Sequence, residues 1–326
     1  MKKSGKRYYI LAVAVALILG ASCTKDTEGE EAREQELRYF NIYISAHYPD
    51  AEPQPSGLYY LENSEGVGAK PGPEDWVLVN HVSYLIPDDA VYDTYIENVA
   101  VDNRQFDDEA TYGPYKMLPS SINVGLNEGI GLMREGGEAT LLFTSDLGYG
   151  EKNTGTVGAY RSLKYEIELL EVIGTDIEAY EQAKIDAYLD TVAEYDTVYD
   201  VFTELAIPYM IDDTTDGPVV GLDSTLAVAY KGYLLDGRVF DEASVDDPFI
   251  FKTSEVEWGA RWDLVLPRLR EGEKARMIFP YQLAYGEFGD RTTGGKVKIP
   301  PFETLIFDIE ILSVEADEDD TPGGPE

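Results

Sequence analysis

The sequence predicts an α+β protein built from two copies of one antiparallel domain, and three observations carry that reading. The chain repeats itself: "LMREGGEATLLF" (132–143) returns as "RLREGEKARMIF" (268–279), so Arg134-Glu135-Gly136 falls on Arg270-Glu271-Gly272 at an offset of 136 residues. Repeats of this length are whole domains, not solenoid units. Within each copy a few strands surround one short amphipathic segment, without the strand–helix alternation of a parallel sheet.

The N-terminus stands apart from the fold. Lys2, Lys3, Lys6 and Arg7 precede an apolar run from Tyr8 to Leu19, and Gly20-Ala21-Ser22 follow before Cys23. A membrane span needs roughly 20 apolar residues, so residues 1–22 read as a secretory signal. Cys23 is the only cysteine, which rules out an intrachain disulfide and leaves the fold to its core. Its setting resembles a bacterial lipoprotein lipobox, with Gly20 where leucine is more usual. The resemblance implies lipid attachment at Cys23, and with it a membrane anchor in the cell envelope. An outer-membrane lipoprotein, facing the periplasm or the cell surface, is the expected form. The other reading is an ordinary signal with an incidental cysteine. The acidic stretch "TKDTEGEEAREQE" reads as part of a flexible tether over 23–38. It is similar in outline to the surface-export signal of Bacteroidetes-type lipoproteins.

The first copy is expected over 39–172. "GLYYLEN" (57–63) sits opposite "IPYMIDD" (207–213), and "WVLVNHVSYL" (76–85) opposite "TLAVAYKGYL" (225–234). Phe106-Asp107 is paired with Phe240-Asp241, which leaves about 15 extra residues between His81 and Phe106. A linker and first strand of the second copy fill 173–217. There Thr175 with Glu178 spells a capping box, and Ile177, Tyr180, Lys184 and Tyr188 follow helical spacing, widened by Ile185 and Leu189.

The second domain is expected over 218–314. Leu226, Val228 and Tyr230 point one way along a strand, Ala227 and Ala229 the other. Asp236-Gly237 signals a hairpin turn. "VEWGARWDLVL" predicts a short helix with Trp258, Trp262, Val265, Leu266 and Leu269 near one face. "ARMIFP" and "TLIFDIEILSV" close the copy as strands, and 315–326 is an acidic Pro/Gly tail read as disordered.

Composition excludes some functions. A formal net charge of −36 repels nucleic-acid phosphates, so no nucleic-acid partner is expected. "GLNEGIGLMREGG" lacks a P-loop lysine, and the Asp pairs at 107–108, 212–213 and 246–247 lack calcium-loop spacing. His47 and His81 are the only histidines, and no cofactor or metal is expected. The 24 tyrosines favour sheets and aromatic-lined pockets.

Residues 218–314 resemble the FKBP-type peptidyl-prolyl cis-trans isomerases. The matching runs are "VAYKGYLLDGRVFDEA", "DPFIF", "EWGARWDLVLPRLREGEKARMIFP", "LAYGEFG" and "IPPFETLIFDIEILSV". The resemblance implies a curved antiparallel sheet wrapped over a short helix, with proline-containing or unfolded polypeptide as substrate between them. It implies isomerase action on Xaa–Pro bonds, carried by Tyr230, Phe240, Asp241, Tyr285 and Phe307. Phe249, Glu257, Trp258, Gly259, Trp262 and Ile299 are the implied substrate-binding residues. Trp262 is then the pocket floor, Tyr285 points its hydroxyl at the substrate carbonyl, and Asp241 is the one acid facing the pocket.

Two departures stand out in this copy. Trp258-Gly259 replaces the family's usual aliphatic pair, and "DEASVDDPF" lacks the arginine that often braces the pocket acid. The first copy departs further: His81 replaces the leading tyrosine, Leu126 replaces the tryptophan, and "VGAY" replaces "IPPF", while Phe106, Asp107 and Tyr149 remain. It reads as a degenerate domain without efficient turnover. The alternative for the whole chain is a non-catalytic FKBP-like chaperone or interaction module of an envelope complex.

Overall fold

The computed structural model describes residues 28–254 and 260–315. Cys23, Glu257, Trp258 and Gly259, the signal and almost all of the tail therefore lie outside the described residues. Among the described residues no helix is long and apolar enough to cross a membrane. The chain forms two compact units: one holds residues through Thr94 and Met117–Val172, the other Tyr95–Lys116 and everything from Ile173 onward.

The first unit opens with helix α1, residues 28–47. This corrects the tether expected over 23–38, because residues 28–38 of it are helical and one face of the helix is buried. Glu36, Phe40, Tyr43 and Ile44 recur at helical spacing and are all buried. The sheet follows with β1 (Tyr59–Ser64), β2 (Trp76–Leu85) and β3 (Ala90–Thr94). The chain then enters the other unit for helix α2 (Glu97–Asp102) and passes through β4 (Tyr115–Met117). It completes the first unit with α3 (Val124–Leu132), β5 (Gly137–Phe143) and β6 (Leu163–Gly174). The strand order is β1-β5-β6-β2-β3, and the pairs β1–β5, β5–β6 and β2–β3 are antiparallel. Phe40, Tyr43 and Ile44 of α1 pack with Ile86 and Leu142. Two glycines of α3 serve packing: a Cβ on Gly125 would run into the Phe143 ring and one on Gly129 into Leu141, so the helix approaches β5 more closely than alanine allows.

The second unit repeats the scheme. Helix α4 (Ile177–Leu189) is followed by β7 (Asp196–Tyr199), β8 (Ala206–Asp213), β9 (Thr225–Leu234), β10 (Val239–Ala243) and β11 (Phe249–Lys252). The cap of α4 falls one residue later than expected: Asp176, not Thr175, accepts from the Ala179 N–H at 2.9 Å. Two 3-10 turns, Trp262–Leu264 and Leu266–Arg268, stand where the sequence predicts a helix. Pro267 lacks an N–H to continue a helical ladder, which favours this break. Strands β12 (Lys274–Phe279), β13 (Asp290–Arg291), β14 (Val297–Ile299) and β15 (Leu305–Glu315) complete the unit.

The main sheet runs β10-β9-β15-β12-β8-β7, with β11 on the free half of β9. Period-two alternation divides its faces. Leu226, Val228, Met277, Phe279, Leu305, Phe307, Ile309 and Ile311 pack with Trp262, Val265 and Leu266 on one face. Ile278 and Ile306 pack against Ile185 of α4 on the other.

The helices α1 and α4 repeat each other more closely than their sequences suggest. Each buries one glutamate. Glu36 accepts from the Ser145 N–H and both the Ser145 and Ser162 hydroxyls at 2.6–2.8 Å. Glu181 accepts from the Thr304 hydroxyl at 3.0 Å. Ser162 and Thr304 each immediately precede the closing strand of their unit.

Candidate functional site

Strand β9 builds the site because its inward positions lie beside β15 and β10. Gly232 pairs with Phe307 on one side and Asp241 on the other, and Tyr230 pairs with Ile309 and Ala243. Between Val239 and Asp241 the register shifts, which makes Phe240 the extra residue of a β-bulge. A bulge re-aims side chains that strict alternation would send to opposite faces. This is how adjacent Phe240 and Asp241 both reach aromatic side chains of the neighbouring strands. Phe240 meets Phe307 edge-on at 5.5 Å between centroids, and Asp241 accepts from the Tyr230 hydroxyl at 2.7 Å. A Cβ on Gly232 would lie 2.6 Å from Phe240 Cζ and 2.9 Å from Phe307 Cε1, so glycine is what lets both rings close over the strand.

The aromatic side chains converge. Trp262, buried on its 3-10 turn, stands 4.9 Å from Phe307 and 5.3 Å from Tyr230, nearly perpendicular to both. Such edge-to-face pairs fit the ring quadrupoles. Phe249 flanks Tyr230 at 6.1 Å, Ile299 is buried in the same core, and Tyr285 packs partly buried against it. Beside Tyr230 an open hollow of about 590 Å³ is lined by Glu242, Ala243, Ser244, Asp247, Pro248 and Phe249.

Three residues that the sequence reading did not single out belong here. Phe251 stacks on Phe249 and reaches Trp262, and Phe279 meets Phe307 at 5.9 Å. Their signal was the period-two pattern of "FIF" and "MIF". Lys298 lies 3.7 Å from the second oxygen of Asp241. It supplies from β14 a cation at the acid whose usual arginine is missing, and no local spacing announces that contact.

Burial pushes both tyrosine hydroxyls up from their ordinary range. For Tyr230, the hydrogen bond to Asp241 and its charge add to burial. For Tyr285, burial comes first, then the charges of Asp290 and Asp241. Both are therefore neutral hydroxyls at physiological pH, able to donate. Among the described residues no group of three or more His, Cys, Asp or Glu side chains could hold a metal ion.

The first unit wires the corresponding positions differently. Strand β3 pairs Asp93 with Ser83 of β2, with a register shift that makes Tyr92 the bulge residue. The counterparts of Phe240-Asp241 are thus Tyr92-Asp93. Phe106-Asp107, expected there, belongs to the second unit. His81 Nε2 lies 3.3 Å from Asp93, in the place of the Tyr230–Asp241 bond. Ser83 stands in the place of Gly232. Tyr165, in the place of Phe307, is hydrogen-bonded through its hydroxyl to Tyr92 and Asn123.

Two stretches, residues 69–170 and 218–312, match the FKBP-type peptidyl-prolyl cis-trans isomerase family. Together they cover more than half of the chain, and the chain belongs to that family, with two FKBP-like domains of α+β class. It is 40% identical over 95 residues to a macrophage infectivity potentiator of Trypanosoma cruzi, covering 29% of this chain and 45% of that protein. It is 33% identical over 108 residues to the FKBP-type peptidyl-prolyl cis-trans isomerase FkpA of Escherichia coli, covering 33% and 37%. The chain thus spans less than half the length of either relative. The solved structure of FkpA from Escherichia coli aligns with a TM-score of 0.37 at 19% identity, over 53% of this chain and 76% of that one.

Proposed function

We propose that the second unit catalyses cis–trans exchange of Xaa–Pro bonds in exported polypeptides. The convergence of Tyr230, Phe240, Trp262 and Phe307 around the Tyr230–Asp241 hydrogen bond carries this reading. A planar imide resists rotation by about 18–20 kcal/mol through resonance, and exchange unaided takes tens to hundreds of seconds. The twisted form has lost that resonance and its carbonyl is less polar. An apolar aromatic cleft therefore holds the twisted form at a smaller desolvation cost than the planar one. This is differential binding of the transition state, with no nucleophile or metal required. The Tyr285 hydroxyl is the donor for the substrate carbonyl. Asp241, held by Tyr230 and beside Lys298, offers a fixed charge to the turning dipole.

The first unit is inactive in this reading. Its bulge tyrosine and closing-strand tyrosine hydrogen-bond each other, so a proline ring entering there has to displace a satisfied polar network in place of bare phenyl faces. Lipid attachment at Cys23 and an envelope location complete the proposal. They rest on the sequence around Cys23, and loss of fatty-acid labelling in Cys23→Ser tests them.

The activity is tested by following exchange of a short Xaa–Pro peptide with the full chain by NMR. Acceleration in proportion to protein concentration supports catalysis. A rate equal to that without protein leaves the non-catalytic chaperone or interaction module as the function.

A further inference from the structure

The segment 95–116 leaves its sequence neighbours to join the second unit, and three of its hydrogen bonds fall along one loop beside the candidate site. That loop runs from β13 to β15 and carries Lys298 and Ile299. Asp107 accepts from the Thr292 hydroxyl at 2.5 Å, and Lys296 Nζ donates to Gln105 Oε1 at 3.0 Å. The Thr111 N–H donates to the Val297 carbonyl at 3.0 Å. Stacking of Phe106 on Tyr112, and the Asp107 N–H donating to the Tyr112 hydroxyl, shape the segment itself.

Its far end is an anchor. Lys116 is almost fully buried, with its ammonium 2.8 Å from Glu181 and 3.1 Å from Glu303. The same ammonium donates to the Phe302 carbonyl at 2.9 Å. Phe302 holds a left-handed backbone at φ 57°, unusual for a bulky residue. Its N–H in turn donates to the carbonyl of Gly286, next to Tyr285, at 3.0 Å. A continuous set of bonds thus runs from Lys116 through Phe302 to the turn that presents Tyr285.

We propose that residues 95–116 are a built-in brace for the second unit's cleft, with Gln105, Asp107, Thr111 and Lys116 as positioning residues. They hold the 286–303 loop so that Tyr285, Ile299 and Lys298 face the substrate in the geometry for turnover. A backbone held before binding loses less freedom when substrate arrives, and misplacement of about 1 Å is enough to cost about a hundredfold in rate. The inference rests on the isomerase reading for its kinetic part only.

The test uses the full chain with Asp107→Ala, the partly buried double variant Gln105→Ala/Asp107→Ala, and Lys116→Met. Hydrogen exchange of backbone amides reports loop order, and peptide exchange reports turnover. Expected are faster amide exchange across 286–303 with 225–234 unchanged, and kcat/KM reduced about tenfold, mainly through kcat. Asp107→Asn keeps an oxygen acceptor for Thr292 and is expected to retain wild-type behaviour. Unchanged amide exchange in Asp107→Ala and the double variant overturns the brace, even if Lys116→Met fails to fold. Faster loop exchange with unchanged kcat/KM also overturns it, leaving a contact of structural value alone. If the wild-type chain shows no turnover, the isomerase reading fails, and loop exchange still decides whether 95–116 orders the loop.

Discussion

The Tyr230 hydroxyl donates to Asp241 at 2.7 Å across neighbouring strands, and Lys298 approaches the other carboxylate oxygen at 3.7 Å. The acid is thus oriented from two sides by residues far apart in the chain. Tyr230→Phe removes one hold and leaves the ring. The expected result is a fall in kcat/KM of about tenfold, equal to about 1.4 kcal/mol, with the thermal midpoint little changed. Lys298→Ala is expected to lower turnover less, because its contact is longer and partly exposed. Both are read by peptide exchange with the full chain.

Gly232 makes a sharper structural prediction. Alanine there places a methyl within 3 Å of Phe240 and Phe307. Overpacking of this kind costs about 1–3 kcal/mol. Chemical denaturation of Gly232→Ala is expected to show a lower midpoint and unchanged slope, together with reduced peptide turnover.

Much of this arrangement was legible in the sequence, for definite reasons. The alternation of "TLAVAYKGYL" and "TLIFDIEILSV" predicts which residues of those two strands face inward, while the aromatic set as a whole was named from the resemblance to the isomerase family. The repeat in "REG" placed two domains. The register of β3 was not legible, because Phe106-Asp107 imitates Phe240-Asp241 in letters while the bulge residue of β3 is a tyrosine. Nor was the path of 95–116, which depends on contacts nearly 190 residues apart, such as Lys116 with Phe302. A glutamate amid acidic neighbours also gives no sign that it is buried, which is why helix α1 read as tether.

Glu36 tests that correction. A tether residue can be replaced freely, whereas Glu36 satisfies three donors inside the first unit. Glu36→Ala leaves those donors buried without it and is expected to cost about 3 kcal/mol. The unfolding midpoint of the first unit is the measurement.

The raised tyrosines set a pH dependence. Tyr230 and Tyr285 are held neutral in the folded protein, above the unfolded phenol value near 10. Their stabilising contribution is complete below that value and is lost as pH rises through the folded one. Turnover is therefore expected to be flat from about pH 6 to about pH 9, and stability to decline only in more alkaline solution. In Tyr230→Phe the alkaline loss of stability is expected to be smaller.

The central claim is that turnover resides in the cleft of the second unit, and paired variants of the full chain test it most directly. Trp262→Leu and Tyr285→Phe strike that cleft, while His81→Tyr and Tyr165→Phe strike the corresponding positions of the first unit. A fragment that began at residue 173 would be a poor substitute, since 95–116 belongs to the second unit. The account predicts at least a tenfold loss of peptide exchange in the first pair and no loss in the second. Full activity in Trp262→Leu and Tyr285→Phe, or its disappearance in the first-unit variants, would contradict it.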